Sequence, residues 1–125
     1  MPHKTGRYLY DILRAAGLLA KFAQGKTFAD YETDALLRSG VERQFEVIGE
    51  ALNQLADLDS ATVSRIPEYQ RIISFRNRLI HGYSFVDNRV VWDMLQNRLG
   101  GLREQVAALL REIDPDYEKR QSDRG

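Results

Sequence analysis

The feature that most constrains this 125-residue chain is a long apolar stripe beginning near Asp34. Leu37, Val41, Phe45, Ile48, Leu52 and Leu55 step by four, four, three, four and three residues. That spacing returns each side chain to one face of a helix and does not suit the alternation of a half-buried strand. A helix with one apolar face needs other helices to cover it.

The rest of the chain supplies them. Residues 7–24, "RYLYDILRAAGLLAKFAQ", repeat the pattern with Tyr8, Ile12, Ala15, Leu19 and Phe22, and Gly25 is the expected left-handed residue past the helix end. "KTFADYETDALL" reads as a connection with a short helical turn, pinned to the core by Phe28 and Tyr31. "LADLDSATVSRIP" breaks the period, and Pro67 suits the first turn of the next helix, whose buried side is read as Ile72, Ile73, Leu79 and Ile80. Asp87 or Asn88 is available to cap a last helix from about Arg89, burying Val91, Met94, Leu95, Leu102, Val106, Leu109 and Ile113. Gly100-Gly101 should weaken or bend that helix. The expectation is an all-α bundle of four main helices with a short fifth, one domain over residues 1–125, its core about 7–113 and 114–125 a loose polar tail.

Composition narrows the chemistry. The chain has no cysteine and two histidines, which excludes a disulfide scaffold, a thiolate nucleophile and a sulfur-ligated zinc site, and leaves no basis for a metal centre or cofactor. The start, "MPHKTGRYLYDI", lacks the apolar run of a signal peptide and no window approaches a membrane span, so a cytoplasmic protein without membrane partners is expected. Net charge is zero, yet residues 27–60 carry eight acids against Arg38 and Arg43, and residues 61–90 carry five arginines against Glu68 and Asp87. The second segment is where an anion would be attracted, although surface arginines pairing with the acidic helix explain it equally well. Glu42, Glu46 and Glu50 run along another face of the long helix. Facing nearby arginines, lining a dimer and meeting the arginines of the later segment are all open to them.

One stretch stands apart: "SFRNRLIHGYSF", Ser74 to Phe85, which puts Arg76, Asn77, Arg78 and His81 within six residues. Arg76 and His81, five residues apart, would sit about 140° apart around a continuous helix. They converge only if the helix ends near His81, and Gly82 is the residue type that permits an end there. A histidine transfers protons near neutral pH, and an arginine holds phosphate and stabilises the extra charge of a pentavalent transition state. With no metal cluster and no catalytic triad order, the chemistry open to this pair is metal-independent cleavage of RNA, whose 2′-hydroxyl supplies the nucleophile. A single histidine has to serve as both base and acid unless a two-fold dimer brings a second copy. The competing reading of His81 is a helix-end dipole partner or cap.

"RNRLIHGY" resembles the R-x-x-x-x-H-x-Y signature of the HepT-like toxins, within the HEPN superfamily of helical ribonucleases. "YLYDILRAAG", "VERQFEVIGEALNQL" and "VVWDMLQNRL" resemble that family's other landmarks in order and spacing, over roughly residues 7–113. The resemblance implies a HEPN-like homodimer whose R-x-x-x-x-H segments face each other, acting as a metal-independent endoribonuclease toxin. By position, Arg76 and His81 would be the catalytic pair, Asn77 and Arg78 supporting residues. It also implies a nucleotidyltransferase antitoxin that transfers AMP groups to the tyrosine of the H-x-Y element, here Tyr83. A departure lies at "LGGL", residues 99–102, where relatives often have a proline. The contrasting expectation is a non-catalytic bundle that docks a nucleotidyltransferase or a nucleic acid without cutting it.

Overall fold

The computed structural model describes residues 4–81, 86–117 and 119–120. They form helices α1 (Lys4–Ala23), α2 (Phe28–Thr33), α3 (Ala35–Leu58), α4 (Ser60–Val63), α5 (Tyr69–His81), α6 (Asn88–Asp93) and α7 (Leu99–Ile113), with a single wide π turn, Met94–Arg98, joining α6 to α7. There is no strand among the described residues, and no described helix is long and apolar enough to cross a membrane. The four long segments of the bundle are α1, α3, α5 and the α6–π turn–α7 unit.

Helix α3 is the centre of the packing. It lies against α1 and α5, while α1 also packs on α7. Val41, Phe45, Ile48, Leu52 and Leu55 of its stripe are buried, facing Leu9, Ile12, Ala15, Ala16 and Leu19 of α1. Each of these side chains larger than alanine contributes about 1.5–3 kcal/mol through burial, which offsets the entropy of ordering helices that would not persist alone. Local signals set the boundaries. Thr27 and Asp30 form a reciprocal capping box on α2, and the Asp34 carboxylate accepts from Leu36 N and Leu37 N to start α3. Gly25 has φ +72°, as its position after α1 requires. Asp87 caps α6 by accepting from Arg89 N. Tyr31 is fully buried, its ring against Trp92.

Several expectations are corrected. Pro67 lies in the turn before α5, not in its first turn. The residue that leads into the helix is Glu68, at φ +60°, whose carbonyl accepts from Arg71 N and Ile72 N. Glu68 holds that uncommon backbone conformation while its carboxylate binds Arg71 and Arg98. On α5 the buried residues are Ile72 and Phe75, and Ile80 is 43% exposed. Phe75 stacks edge-on against Phe45, so the face of α5 turned to α3 is centred away from Ile80. The last helix is not interrupted at Gly100-Gly101, which are helical, but just before them. Val91, Leu95 and Leu99 are all buried at two successive spacings of four, over which a regular helix would drift by about 80° across its face. The wider turn, with Leu99 N bonded to the Met94 carbonyl, brings them back into phase.

The tail is not loose at its start. Asp114 is 5% exposed and receives Arg120 at 2.8 Å, and Tyr117 packs on Tyr10 with ring centroids 5.3 Å apart. Polar composition hid a tertiary ion pair.

Candidate active site on helix α5

Arg76 is the best-held polar side chain on α5. Its stem lies against α3 where Gly49 has no side chain: a Cβ at Gly49 would stand 2.2 Å from Arg76 Cβ and 2.5 Å from Cγ. Glycine is therefore required there by close approach. Arg76 Nη2 donates to Glu50 Oε2 at 2.5 Å and Nη1 donates to Asn77 Oδ1 at 2.8 Å. Nε is buried and has no hydrogen-bond partner among the described residues. The side chain is 19% exposed, so its outer edge reaches solvent while its stem and Nε are shielded.

Glu50 answers the question the acidic stripe left open, because it alone of the three meets the guanidinium of Arg76. Glu46 stands 3.6 Å from Arg43 one turn earlier on α3. Burial pushes the Glu42 carboxyl up from its ordinary value, and repulsion from Glu46 adds to it. Beside Arg76 a recess of about 320 Å³ opens between α1, α3 and α5, with Asp11, Glu46, Glu50 and Arg43 on its walls. Burial likewise raises the Asp11 carboxyl, against the pull of Arg7 and Arg14.

The residues named from sequence are not all brought together. Asn77 touches Arg76, but Arg78, two positions on, projects about 160° away around the helix and is exposed. His81 is exposed and is the last described residue of α5. Within one chain α5 is continuous through it, so His81 and Arg76 start about 140° apart. Gly82 and Tyr83 lie outside the described residues. Gly49 is the residue that sequence reading missed. A glycine inside an otherwise strong apolar stripe was its only signal.

The chain matches the family model described as "HepT-like: Ribonuclease HepT-like" over residues 12–109. It is 32% identical over 108 residues to a protein named "Putative RNase" from Caldanaerobacter subterraneus subsp. tengcongensis, covering 86% of this chain and 96% of that one. A protein of the same printed description from Methanocaldococcus jannaschii is 28% identical over 119 residues, 94% and 98% of the two chains. A "Probable ribonuclease HepT" from Thermococcus cleftensis is 31% identical over 96 residues, 77% and 86% of the two. No solved structure matches significantly. The all-α bundle, the placement of the R-x-x-x-x-H segment on α5 and these relatives agree: the chain belongs to the HepT-like ribonuclease family of the HEPN superfamily.

Proposed function

We propose that this protein is a homodimeric, metal-independent endoribonuclease toxin. Its Arg76 binds the scissile phosphate and its His81 transfers protons. The observation that carries the reading is the fixing of Arg76 by Gly49, Glu50 and Asn77, five residues before an exposed helix-terminal histidine. A guanidinium held in this way offers its remaining N–H groups to phosphate without reorganising at the moment of reaction. Attack by the substrate's own 2′-hydroxyl on the phosphorus forms the cyclic 2′,3′-phosphate and breaks the bond to the 5′-oxygen. A base takes the 2′-proton and an acid delivers one to the leaving oxygen. Because His81 starts well around α5 from Arg76, a second copy facing the first supplies the missing histidine to each Arg76.

The same reading makes a nucleotidyltransferase the antitoxin. AMP on Tyr83, two residues past His81, would place phosphate and bulk where the RNA backbone must lie. Mass spectrometry of protein co-expressed with such a partner tests this, and absence of AMP on Tyr83 would refute it.

Cleavage of RNA in EDTA by wild type, His81→Ala and Arg76→Ala tests the nuclease. Wild type should leave cyclic phosphate and 5′-hydroxyl ends, and both variants should lose at least about 100-fold in rate. Arg76→Lys should rescue poorly, because lysine cannot satisfy Glu50, Asn77 and phosphate with one ammonium. Cleavage by His81→Ala at the wild-type rate would overturn the mechanism.

A further inference from the structure

Two recesses flank α5, and their charges differ. On the Arg76 side the walls carry Asp11, Glu46 and Glu50 against Arg43 and Arg76. On the other side, between α5, α6 and the π turn, a recess of about 270 Å³ carries Arg71, Arg78 and Arg98 against Asp93 on its wall and Glu68 at its end, which pairs with Arg71 and Arg98 and leaves a net positive charge at Arg78. Asp93 is itself engaged, accepting from Asn97 Nδ2 at 2.6 Å. A polyanion is therefore repelled along the first recess and attracted along the second.

The second recess is also built from unusual backbone. Arg98 is the last residue of the π turn, a form that recurs at functional sites. Glu68, at φ +60°, binds Arg71 Nη1 at 2.5 Å and Arg98 Nη1 at 2.6 Å, tying α5 to the π turn at one end of the recess. Backbone of this kind persists where surrounding contacts hold it, and here the contacts hold two guanidinia side by side. At the other end Arg78 is exposed and forms no ion pair with another described residue. Phe75 and Met94 form the apolar floor. Arg71 and Arg78 are seven residues apart, so they share a side of α5 about 10 Å apart along the axis. His81 lies a further turn toward the helix end, on the Arg78 side rather than the Arg76 side.

We infer that the recess between α5, α6 and the π turn is a binding track for the phosphodiester backbone of single-stranded RNA, running from the His81 end of α5 past Arg78 to Arg71 and Arg98. This rests on the ribonuclease reading and assigns the path of the strand flanking the cut. Arginine suits it through planar, multiple donors, and the apolar floor accepts a base or ribose face. Of the acidic recess only Arg76 meets the strand, at the scissile phosphate; the flanking backbone follows the other side.

The test is fluorescence anisotropy of the purified protein with a fluorescein-labelled single-stranded RNA whose 2′-hydroxyls are methylated, titrated at several salt concentrations. Wild type should lose affinity linearly in log salt. Arg78→Ala and Arg98→Ala should each weaken binding several-fold and reduce the slope by about 0.7, one single-strand phosphate contact each. Arg43→Ala, in the acidic recess, should leave both unchanged. Arg98→Lys keeps a point charge and should retain most of the affinity, which guards against disruption of the π turn. Unchanged affinity and slope in Arg78→Ala and Arg98→Lys/Arg78→Ala, or an equal loss in Arg43→Ala, would overturn the track. A protein partner would then be the better occupant. Cleavage of unmodified RNA is scored separately. Groove-dependent binding without any cleavage refutes the nuclease alone, and cleavage with binding indifferent to these arginines refutes the track alone.

Discussion

Gly49→Ala is the most informative single substitution, because its effect follows from one distance. The new Cβ would lie 2.2 Å from Arg76 Cβ, an atom fixed to the α5 backbone and unable to swing aside. Ordinary carbon contact begins near 3.5 Å, so α3 and α5 must part locally by roughly 1.3 Å. The Phe45–Phe75 edge contact, with centroids 5.3 Å apart, spans the same interface and must loosen with it. Overpacking of this kind costs about 1–3 kcal/mol, and alanine's helix preference returns up to about 1. The net loss is about 1–2 kcal/mol, and for a chain of this length the melting temperature should fall by roughly 4–8 °C. Thermal denaturation followed by circular dichroism measures it. Gly101→Ala is the control: a Cβ there meets nothing within 4 Å, so that variant should gain about 0.5–1 kcal/mol. Displacing Arg76 by about 1 Å should also lower RNA cleavage by about 100-fold. A Gly49→Ala protein that melts with wild type and cleaves at full rate would refute the argument that close approach positions Arg76.

Three further outcomes are expected. The Tyr31 hydroxyl is buried without a hydrogen-bond partner among the described residues, and burial holds the phenol neutral well above its ordinary pKa. Tyr31→Phe should therefore gain up to about 1 kcal/mol in urea denaturation, and a clear loss would show that the hydroxyl is satisfied. Asp59 accepts from the Thr62 hydroxyl at 2.8 Å, from Thr62 N at 3.1 Å and from Thr5 at 3.0 Å, and these bonds, Thr62 first, hold its carboxyl below the usual range. That stabilisation is complete above the unfolded carboxylate value of about 3.9 and is lost as pH falls through the depressed folded value. Asp59→Ala should cost about 1 kcal/mol at neutral pH, and its denaturation midpoint should converge with wild type in strong acid; a difference that persists there would count against the bonds as its source. Tyr117→Ala removes the ring packed on Tyr10 and should cost about 1–2 kcal/mol while admitting protease at residues 114–120; an unchanged digestion pattern would show the tail is held by Arg120 and Asp114 alone.

What the sequence made legible was what period and caps determine. The α3 stripe from about Asp34, Gly25 after α1 and the Asp87 cap all follow from local chemistry within a turn or two. Ile80 was misplaced because periodicity gives a helix an apolar face without saying which part of it a neighbour covers; Phe75 against Phe45 decides that. The π turn was invisible for a related reason. Val91, Leu95 and Leu99 read as a slightly drifting helix until the backbone absorbs the drift in one wide turn. At the site, Arg76 and His81 were legible as a motif, and Asn77 as a polar neighbour. The cradle that Gly49 and Glu50 form around Arg76 was not, since it depends on an interhelical distance. Arg78 was grouped with Arg76 by adjacency in sequence, and helical rotation puts it on the opposite flank.

That opposition bears on how a chain of zero net charge can handle a polyanion. Arg76 reaches its position already neutralised by Glu50, with further carboxylates on the same recess, so it adds little long-range attraction. A guanidinium has five N–H groups. Nε is shielded, one N–H is given to Glu50 and one to Asn77, which leaves one on each terminal nitrogen to meet a phosphate. Such an arrangement favours orientation over capture. Capture then has to come from charge that is not neutralised in place; on the far flank Glu68 pairs Arg71 and Arg98, and the remaining charge on α5 is Arg78. Removing Arg78 should accordingly slow association in a salt-dependent way, whereas removing Glu50 should disorder Arg76 and lower turnover with little change in the salt slope. If both variants altered the salt slope alike, orientation and capture would not be divided between the two flanks of the helix.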